Sequence, residues 1–404
     1  MEKPVIRISV RNLVEFILRN GDLESGGTAG DKEAMLKGSR LHRKIQKQMG
    51  SHYQAEVSLK KDTEYEDLIL RVEGRADGIF TQNEKICIDE IKGVYKNLEL
   101  LAEPVLVHRA QALCYAWIYL DDHGLEEIDV QMTYVHLDTE MIKRFRETMT
   151  REELESWYQR LLDSYHKWLS YQMKWREERN RSMEKLEFPF IYRKGQKEMV
   201  AGIYHAISRK EQIFIQAPTG VGKTMSAVFP AVRSIGEGKA ETLFYLTART
   251  ITRTVAQDAF EILRKNGLLF KTVTITAKEK LCFCEKPECN PETCPYAKGH
   301  YDRINDAVYE LWTNEQSFDR ETILRQAEKW QVCPFEMSLE LSVWMDAVIC
   351  DYNYVFDPNV YLKRFFGENI SGKYLFLIDE AHNLVERGRE MYSASICLED
   401  TIQI

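Results

Sequence analysis

The 404-residue chain is too long for one ordinary domain and predicts two or three. A hydrophobic fraction of 44% is that of a globular protein able to bury substantial cores. The net charge of −8 excludes a surface that is basic as a whole, so any polyanion must bind through local basic clefts.

The first residues contain no basic segment followed by an apolar run, and no apolar stretch in the chain is long enough to cross a bilayer. Apolar residues from Val10 to Leu18 instead recur at helical spacing and predict an amphipathic helix. Nine cysteines, an odd number without an export signal, argue against a disulfide framework and for metal or cluster ligation. We therefore expect a cytoplasmic protein without membrane contact; the sequence does not indicate its oligomeric state.

Residues 1–138 alternate between helical and strand patterns and are expected to form a first domain. Residues 139–187 are charge-rich with widely spaced apolar residues, which predicts a long amphipathic helix or helix pair between two domains. The elements predicted in the first domain are a helix at Leu36–Gln48, strands at Leu68–Phe80 and Lys85–Ile91, and a helix at Val105–Leu120.

Short apolar strands separated by helices occupy residues 188–404. This order is typical of a parallel sheet that helices cover on both faces. Residues 277–345 interrupt the rhythm with a cysteine cluster and a charged helical stretch, and we interpret them as an insertion. The predicted strands are Gln212–Ala217, Thr242–Thr247, Thr272–Thr276, Asp346–Cys350 and Tyr374–Ile378.

A glycine-rich loop connects the first of these strands to a helix. Such a turn lets backbone N–H groups surround phosphate oxygens, and the helix N-terminus adds its dipole. The spacing predicts that Lys223 reaches the β- and γ-phosphates of ATP and that Thr224 offers a hydroxyl to Mg²⁺. The loop consists of Ala217, Pro218, Thr219, Gly220, Val221, Gly222, Lys223 and Thr224.

Two acidic residues, Asp379 and Glu380, follow directly after the apolar strand Tyr374–Ile378. A carboxylate at such a strand end can hold Mg²⁺, and its neighbour can orient or deprotonate the attacking water. An acidic strand end is common by itself. Downstream of a phosphate loop it indicates nucleotide hydrolysis.

The segments APTGVGKT (217–224) and DEAH (379–382) resemble motifs I and II of superfamily-two helicases. Residues 245–250 resemble motif Ia, which implies that Arg249 and Thr250 contact the DNA backbone. The resemblance also implies that Gln196 reads adenine, with an ordinary surface glutamine as the alternative, and that His382 couples the nucleotide site to movement.

Five cysteines crowd into the insertion. The spacing C-x₆-C-x₄-C-x₃₈-C lacks the two tight pairs of structural zinc sites, and four thiolates from an irregular loop suit an iron–sulfur cluster better. Zinc and a set of free structural cysteines remain alternatives, and Cys284 could replace Cys289 as a ligand. The ligands that this spacing predicts are Cys282, Cys289, Cys294 and Cys333.

The short sequence segments around these cysteines provide a further resemblance. The sequences KLC, CPY and CPF, followed by CDYNY at 350–354, resemble the iron–sulfur helicases related to xeroderma pigmentosum group D and DinG. That family inserts its cluster between motifs Ia and II, as here. The resemblance implies a [4Fe–4S] cluster and movement along single-stranded DNA in the five-prime to three-prime direction.

Short pieces of the first domain carry groups suited to metal chemistry. Asp77 lies in the sequence GRADG, and strand alternation puts Glu90 and Lys92 on one face. The two carboxylates could hold a divalent metal that lowers the pKa of its bound water, and Lys92 could position or stabilise that water. Each piece alone is weak, because an aspartate before glycine is usually a turn residue and a lone histidine is usually structural.

The series G-x₃-H, GRADG, E-x-K and QALCY is similar to the PD-(D/E)xK nucleases of the RecB kind, including the CRISPR-associated exonucleases. The resemblance implies that Lys92 is catalytic and that Gln111 and Tyr115 brace the site or contact DNA. Iron–sulfur nucleases of this kind flank the domain with four cysteines that this chain lacks, so no second cluster is expected. The implied ligands of Mg²⁺ or Mn²⁺ are His42, Asp77 and Glu90.

The sequence thus predicts an α/β protein with a PD-(D/E)xK nuclease-like domain at 1–138, a helical linker at 139–187 and a RecA-like P-loop domain at 188–404, with the iron–sulfur insertion at about 277–345. We interpret it as an ATP-dependent DNA helicase coupled to a metal-dependent nuclease, acting on single-stranded or forked DNA in repair or processing. The alternatives are an ATP-dependent binding switch with an inactive nuclease domain, and a nuclease whose ATP turnover serves only loading. Because no Q-x-x-G-R-x-x-R motif follows the DEAH segment, we expect a piece of a longer protein whose second motor domain supplies the arginine finger.

Overall fold

The computed structural model describes residues 3–24, 32–218, 220–248, 250–368 and 370–394. Two separate β-sheets organise these residues, one in each of two units, Met1–Ser170 and Tyr171–Ile404. None of the helices that the structure describes is long and apolar enough to span a membrane.

The first unit is built on a mixed six-stranded sheet. Strand β3 pairs with β2 on one side and with both β1 and β4 on the other, and the order continues through β5 to β6. The pairs β1–β3 and β4–β5 are parallel, and the other pairs are antiparallel. The elements are β1 (Val5–Ser9), α1 (Val10–Ile17), α2 (Lys32–Gln48), β2 (Gln54–Glu64), β3 (Ile69–Gln82), β4 (Lys85–Val94), α3 (Leu106–His123), β5 (Glu127–His136), β6 (Ile142–Thr150) and α4 (Arg151–Glu184), which continues into the second unit.

Helix α3 and strand β5 form the centre of this unit. Ten residues of α3 are buried around its circumference, and all but the end residues of β5 are buried. A helix that is apolar on every side is stable only inside a core. The helix ends at Gly124, whose φ of +62° suits the left-handed cap that glycine adopts without strain.

One prediction for the first unit was wrong in detail. Residues 142–150, expected within a helical linker, form β6, because their alternating half-buried and exposed residues match a strand that pairs with β5. The GRADG sequence lies inside β3, as the predicted strand Leu68–Phe80 requires. Its glycines are needed there because a Cβ at Gly74 or Gly78 would come within 2.7 Å and 1.8 Å of the rings of Tyr115 and Tyr53.

The second unit contains the parallel sheet that the sequence predicts, with five strands in the order β11-β7-β10-β8-β9. The insertion is mainly helical and contributes the short edge strand β9. The elements that follow α4 are α5 (Gln196–Arg209), α6 (Lys223–Gly236), β7 (Thr242–Thr247), α7 (Thr250–Lys265), β8 (Thr272–Thr274), α8 (Lys278–Leu281), α9 (His300–Asn314), β9 (Ser317–Phe318), α10 (Arg320–Trp330), α11 (Pro334–Ser342), β10 (Ala347–Asp351), α12 (Asn353–Phe356), α13 (Lys363–Phe366), β11 (Tyr374–Ile378) and α14 (Leu384–Met391).

The strand predicted at Gln212–Ala217 does not form. Residues 211–218 have no regular structure, and the side chains of Ile213, Phe214 and Ile215 are exposed. An apolar run becomes a strand only where a neighbouring strand accepts and donates its backbone hydrogen bonds. Among the described residues β11 pairs only with β7, so this run gains no such neighbour.

A buried charged network ties the end of α4 to the parallel sheet. The Asp346 carboxylate accepts hydrogen bonds from Trp175 Nε1 at 2.9 Å, Arg179 Nη1 at 2.5 Å and the Lys271 backbone N–H at 2.8 Å. The Lys271 ammonium is buried 4.3 Å from the Trp175 ring and donates to two backbone carbonyls. Burial lowers the pKa of Lys271 to about 8. The network is fully partnered only while all four groups are present.

Replacing Asp346 with alanine should lower the free energy of unfolding of the second unit by about 3–5 kcal/mol, because the buried Arg179 guanidinium loses its counter-charge. Urea denaturation followed by circular dichroism measures the change. The control is Glu177→Gln, which breaks an exposed ion pair with Arg181 and should cost less than about 0.5 kcal/mol. If both variants lost the same free energy of unfolding, Asp346 would contribute no more to stability than an exposed ion pair.

Candidate functional sites

The phosphate loop enters α6 through two glycines with left-handed backbone. Gly220 has φ +85° and Gly222, the N-cap of α6, has φ +78°. A Cβ at position 222 would lie 2.8 Å from Gln196 Nε2, so both backbone and space require glycine there. Thr219, predicted to belong to the loop, lies outside the described residues.

The predicted nucleotide residues at 223, 224, 379 and 380 come together beside this loop. Lys223 Nζ lies 3.3 Å from the Ala217 carbonyl and 3.8 Å from Glu380 Oε1. The Tyr245 hydroxyl hydrogen-bonds to both Thr224 and Asp379. Burial, and then the charge of Glu380, raises the pKa of Asp379. The arrangement sets an ammonium, a hydroxyl and two carboxylates around the start of α6, as a site for Mg²⁺ and phosphate requires.

Gln196 fastens the loop in a way that the sequence did not predict. Its Nε2 donates to the Val221 carbonyl at 3.1 Å, and its Oε1 accepts from the Arg193 N–H at 3.0 Å. Arg193 also donates to the Gly220 carbonyl. Both amide atoms of Gln196 therefore hold the protein's own backbone, and reading of adenine by this side chain stays a prediction.

The motif Ia residues stand at the junction of β7 and α7. Helix α7 begins at Thr250, whose side chain is not described, and Arg249 lies outside the described residues. His382 is 74% exposed, with its Nδ1 3.4 Å from Glu380 Oε2. It therefore contacts the Glu380 carboxylate from the solvent side.

The insertion brings its thiols into contact. Cys284 Sγ lies 3.7 Å from Cys294 Sγ and also contacts Cys282; burial and these neighbouring thiols raise the pKa of Cys284 to about 11. The Lys278 ammonium is hydrogen-bonded to Cys289. Cys333 is buried, and its backbone N–H donates to His300 Nδ1 at 3.1 Å. None of the cysteines that the structure describes forms a disulfide.

The first unit gathers its predicted polar residues around the ends of β3 and β4. Asp77 Oδ2 accepts from the Ile91 N–H at 2.7 Å, and its Oδ1 lies 3.7 Å from His42 Nδ1. Lys92 Nζ donates to Glu90 Oε1 at 2.8 Å and to Gln111 Oε1 at 2.6 Å. Tyr115 instead packs over Gly74, where its ring fills the space of a missing Cβ.

One atom of this cluster has no partner. Glu90 is almost wholly buried, and its Oε2 accepts no hydrogen bond. Burial raises the pKa of Glu90 to about 8 against the opposing charge of Lys92. A buried carboxylate oxygen without a donor is costly, so this position favours a bound cation or proton.

The sequence also missed two neighbours of Asp77. Gln46 Nε2 donates to the Asp77 carbonyl and to Glu56 Oε1, both at 3.0 Å. Glu56 has φ +59°, and it lies opposite Asp77 at the one step missing from the β2–β3 pairing, where the register does not shift. In the described part of the chain, no three His, Cys, Asp or Glu side chains are arranged to hold a metal ion, at this cluster or at the cysteines.

Comparison with known protein families places these sites in context. Residues 193–288 match the DEAD/DEAH box helicase family, and residues 265–401 match DEAD_2. The two matches cover the phosphate loop, the cysteines and the DEAH segment. They support a superfamily-two helicase domain.

Relatives of this helicase domain are distant. The chain is 23% identical over 270 residues to a regulator of telomere elongation helicase 1 homolog of Caenorhabditis briggsae, covering 54% of this chain and 27% of that protein. It is 32% identical over 106 residues to a Fanconi anemia group J protein homolog of Gallus gallus, covering 26% and 8%. A solved structure titled "Truncated XPD" is 21% identical with a TM-score of 0.33, covering 51% of this chain and 58% of that one. The chain spans about a quarter or less of these two curated relatives.

Replacing Gly222 with alanine should lower the affinity of the helicase domain for Mg-ATP at least about tenfold, or ~1.4 kcal/mol, because the new methyl group displaces Gln196 from the loop. Titration with a fluorescent ATP analogue measures this. The matched control is Gly238→Ala, since Gly238 has φ +74° and no atom near its Cβ position. Both variants bear about 1–2 kcal/mol of left-handed strain. Equal affinities in the two variants would exclude the steric explanation.

Proposed function

We propose that the protein is an ATP-dependent DNA helicase, five-prime to three-prime by family resemblance, coupled to a metal-dependent nuclease in DNA repair or processing. The observation that carries the helicase proposal is the convergence of Lys223, Thr224, Asp379 and Glu380 at the start of α6, inside the segment that matches helicase families. ATP, Mg²⁺ and single-stranded or forked DNA are the ligands this function requires.

Each group has a distinct task in that reaction. Lys223 would bind the β- and γ-phosphates, and the Thr224 hydroxyl and the Asp379 carboxylate would hold a magnesium ion. A magnesium ion held there would supply positive charge to the phosphates. Glu380 orients the attacking water and accepts its proton. Phosphoryl transfer in comparable enzymes also uses an arginine, supplied in cis or in trans, that is worth about 10³–10⁵ in rate.

The nuclease part of the proposal rests on the buried cluster of the first unit. His42, Asp77 and Glu90 offer one imidazole and two carboxylates, and the unpartnered Glu90 Oε2 fits a cation ligand. A divalent metal there would supply an activated water. Lys92, held by Gln111, would position that water and counter the developing phosphate charge.

The insertion is proposed to hold a [4Fe–4S] cluster through Cys282, Cys289, Cys294 and Cys333. Support comes from the donor set, because five cysteines that form no disulfide lie in one insertion that matches DEAD_2. The contact of Cys284 with Cys294 keeps Cys284 as the alternative to Cys289.

Separating the two activities by mutation tests the proposed function. In the full-length protein, Lys223→Ala should abolish ATP hydrolysis and unwinding of a tailed duplex but leave Mg²⁺- or Mn²⁺-dependent cutting intact. Glu90→Ala and Lys92→Ala should do the reverse, because each removes a group needed only at the nuclease metal. Labelled forked and tailed DNA, with and without ATP, reports both activities.

Lys85→Ala is the matched control for Lys92, since Lys85 lies on the same strand and pairs with Glu127 at the surface. It should retain both activities. Absence of cutting in the wild type would assign the first unit to DNA binding alone. ATP turnover without strand separation would favour the nuclease whose ATP serves loading.

Iron analysis tests the cluster. Anaerobically purified wild type should be brown and contain about four irons per chain, and serine at any of the four proposed ligands should reduce that content. Cys284→Ser is the control and should keep its iron. Colourless protein with stoichiometric zinc would exclude the cluster, and iron loss in Cys284→Ser alone would identify Cys284 as the ligand in place of Cys289.

A further inference from the structure

Two adjacent residues at the end of strand β10 together contact the DEAH segment and helix α7. Asp351 is the last residue of β10 and Tyr352 follows it. Strand β10 itself pairs with β7, the strand that leads into α7. The Asp351–Tyr352 pair therefore stands between the two loops expected to touch nucleotide and nucleic acid, and neither residue has a task in the chemistry described above.

Tyr352 holds the backbone of the DEAH segment. Its ring is fully buried, and its hydroxyl donates to the Asp379 carbonyl and, at 3.1 Å, to the Glu380 carbonyl. Glu380 has φ +50°, a left-handed conformation that a glutamate adopts only when its surroundings hold it. The single hydroxyl of Tyr352 therefore bears on both catalytic carboxylates through their main chain.

Asp351 is shared between two arginines on different helices. Its Oδ2 lies 3.6 Å from Arg253 Nη2 on α7 and 3.3 Å from Arg387 Nη2 on α14, which directly follows the DEAH segment. Both distances exceed the 2.7–3.2 Å typical of N–H···O bonds, although the shorter contact, with Arg387, is still a hydrogen bond. The other carboxylate oxygen, Oδ1, accepts from the Asn353 backbone N–H at 3.1 Å. Arg253 Nε is buried without a hydrogen-bond partner. The carboxylate thus completes a two-pronged pair with neither guanidinium.

We propose that Asp351 and Tyr352 are positioning residues. They couple nucleotide binding at the DEAH segment to the affinity of α7 for nucleic acid. A shift of Asp379 and Glu380 around Mg-ATP moves Tyr352 through its hydroxyl. The Asp351 carboxylate then forms a closer ion pair with Arg253 or with Arg387, and this changes the position of the first turn of α7. The inference rests on the proposed helicase function, because α7 must face nucleic acid for this movement to matter.

Coupling between two sites is reciprocal and is measured as a ratio of affinities. In the full-length protein, the dissociation constant of a fluorescent single-stranded oligonucleotide is measured with and without Mg²⁺ and a non-hydrolysable ATP analogue. The wild-type ratio should differ from one by at least about fivefold, the usual range for allosteric coupling. Tyr352→Phe and Asp351→Asn should bring it to within about twofold of one, while the nucleotide-free DNA affinity stays at its wild-type value.

Tyr158→Phe is the matched control, since Tyr158 carries a buried hydroxyl without a hydrogen-bond partner in the first unit. It should keep the wild-type ratio. Arg253→Lys keeps the positive charge but removes the paired N–H donors of the guanidinium, so it should also lower the ratio. It provides a second test if Asp351→Asn folds poorly.

The possible outcomes distinguish a failure of this inference from a failure of the proposed helicase function on which it rests. Wild-type protein that binds neither ligand would reject the proposed function. A wild-type ratio of one in a protein that unwinds DNA would overturn the inference alone. The inference would also be overturned if Tyr352→Phe and Arg253→Lys kept the wild-type ratio of DNA dissociation constants. A loss of nucleotide affinity in Tyr352→Phe that left this ratio unchanged would overturn it as well.

Discussion

The left-handed turn at Gly220 and Gly222 is the constraint on which the second unit depends. It redirects the chain so that α6 begins beside the ends of the parallel strands, with its first N–H groups pointing into the site. Gln196 and Arg193 use their own polar groups to hold the carbonyls of that turn. The loop is thus fixed before any nucleotide arrives, and Lys223 can meet Glu380 only because the turn places it there.

Much of the fold could be predicted where burial alone decides the structure. The strand Thr242–Thr247 has the bounds that its apolar run predicts, and all but its first residue are buried. Tyr374–Ile378 also has its predicted bounds, although Phe376 and Ile378 are exposed, because it pairs with β7 along its whole length. Residues 212–217 are equally apolar but form no strand, since pairing depends on a neighbour distant in sequence. Strand β6 was missed for the opposite reason: its charged residues hid an alternation that only the pairing with β5 makes evident.

The site residues also differ in whether local sequence or contacts distant in sequence determine them. Phosphate loops and acidic strand ends follow local spacing rules, so the meeting of Thr224 with Asp379 near Tyr245 could be foreseen in outline. Tyr352 acts on backbone carbonyls 27 and 28 residues away, and no spacing rule describes such a contact. Side chains that hold main chain are therefore the class of functional residue that a sequence conceals most completely.

The two sites also differ in how readily a ligand can enter. Lys223 and Glu380 are 34% and 41% exposed and 3.8 Å apart, so solvent screens their attraction and phosphate displaces it at little cost. Glu90 and Lys92 are 2.8 Å apart, with Glu90 only 5% exposed, where the same attraction is much stronger. In the proposed metal site, a cation bound through the unpartnered Oε2 would leave the Lys92 bond to Oε1 in place. It could therefore enter the buried site without breaking the ion pair that positions the lysine.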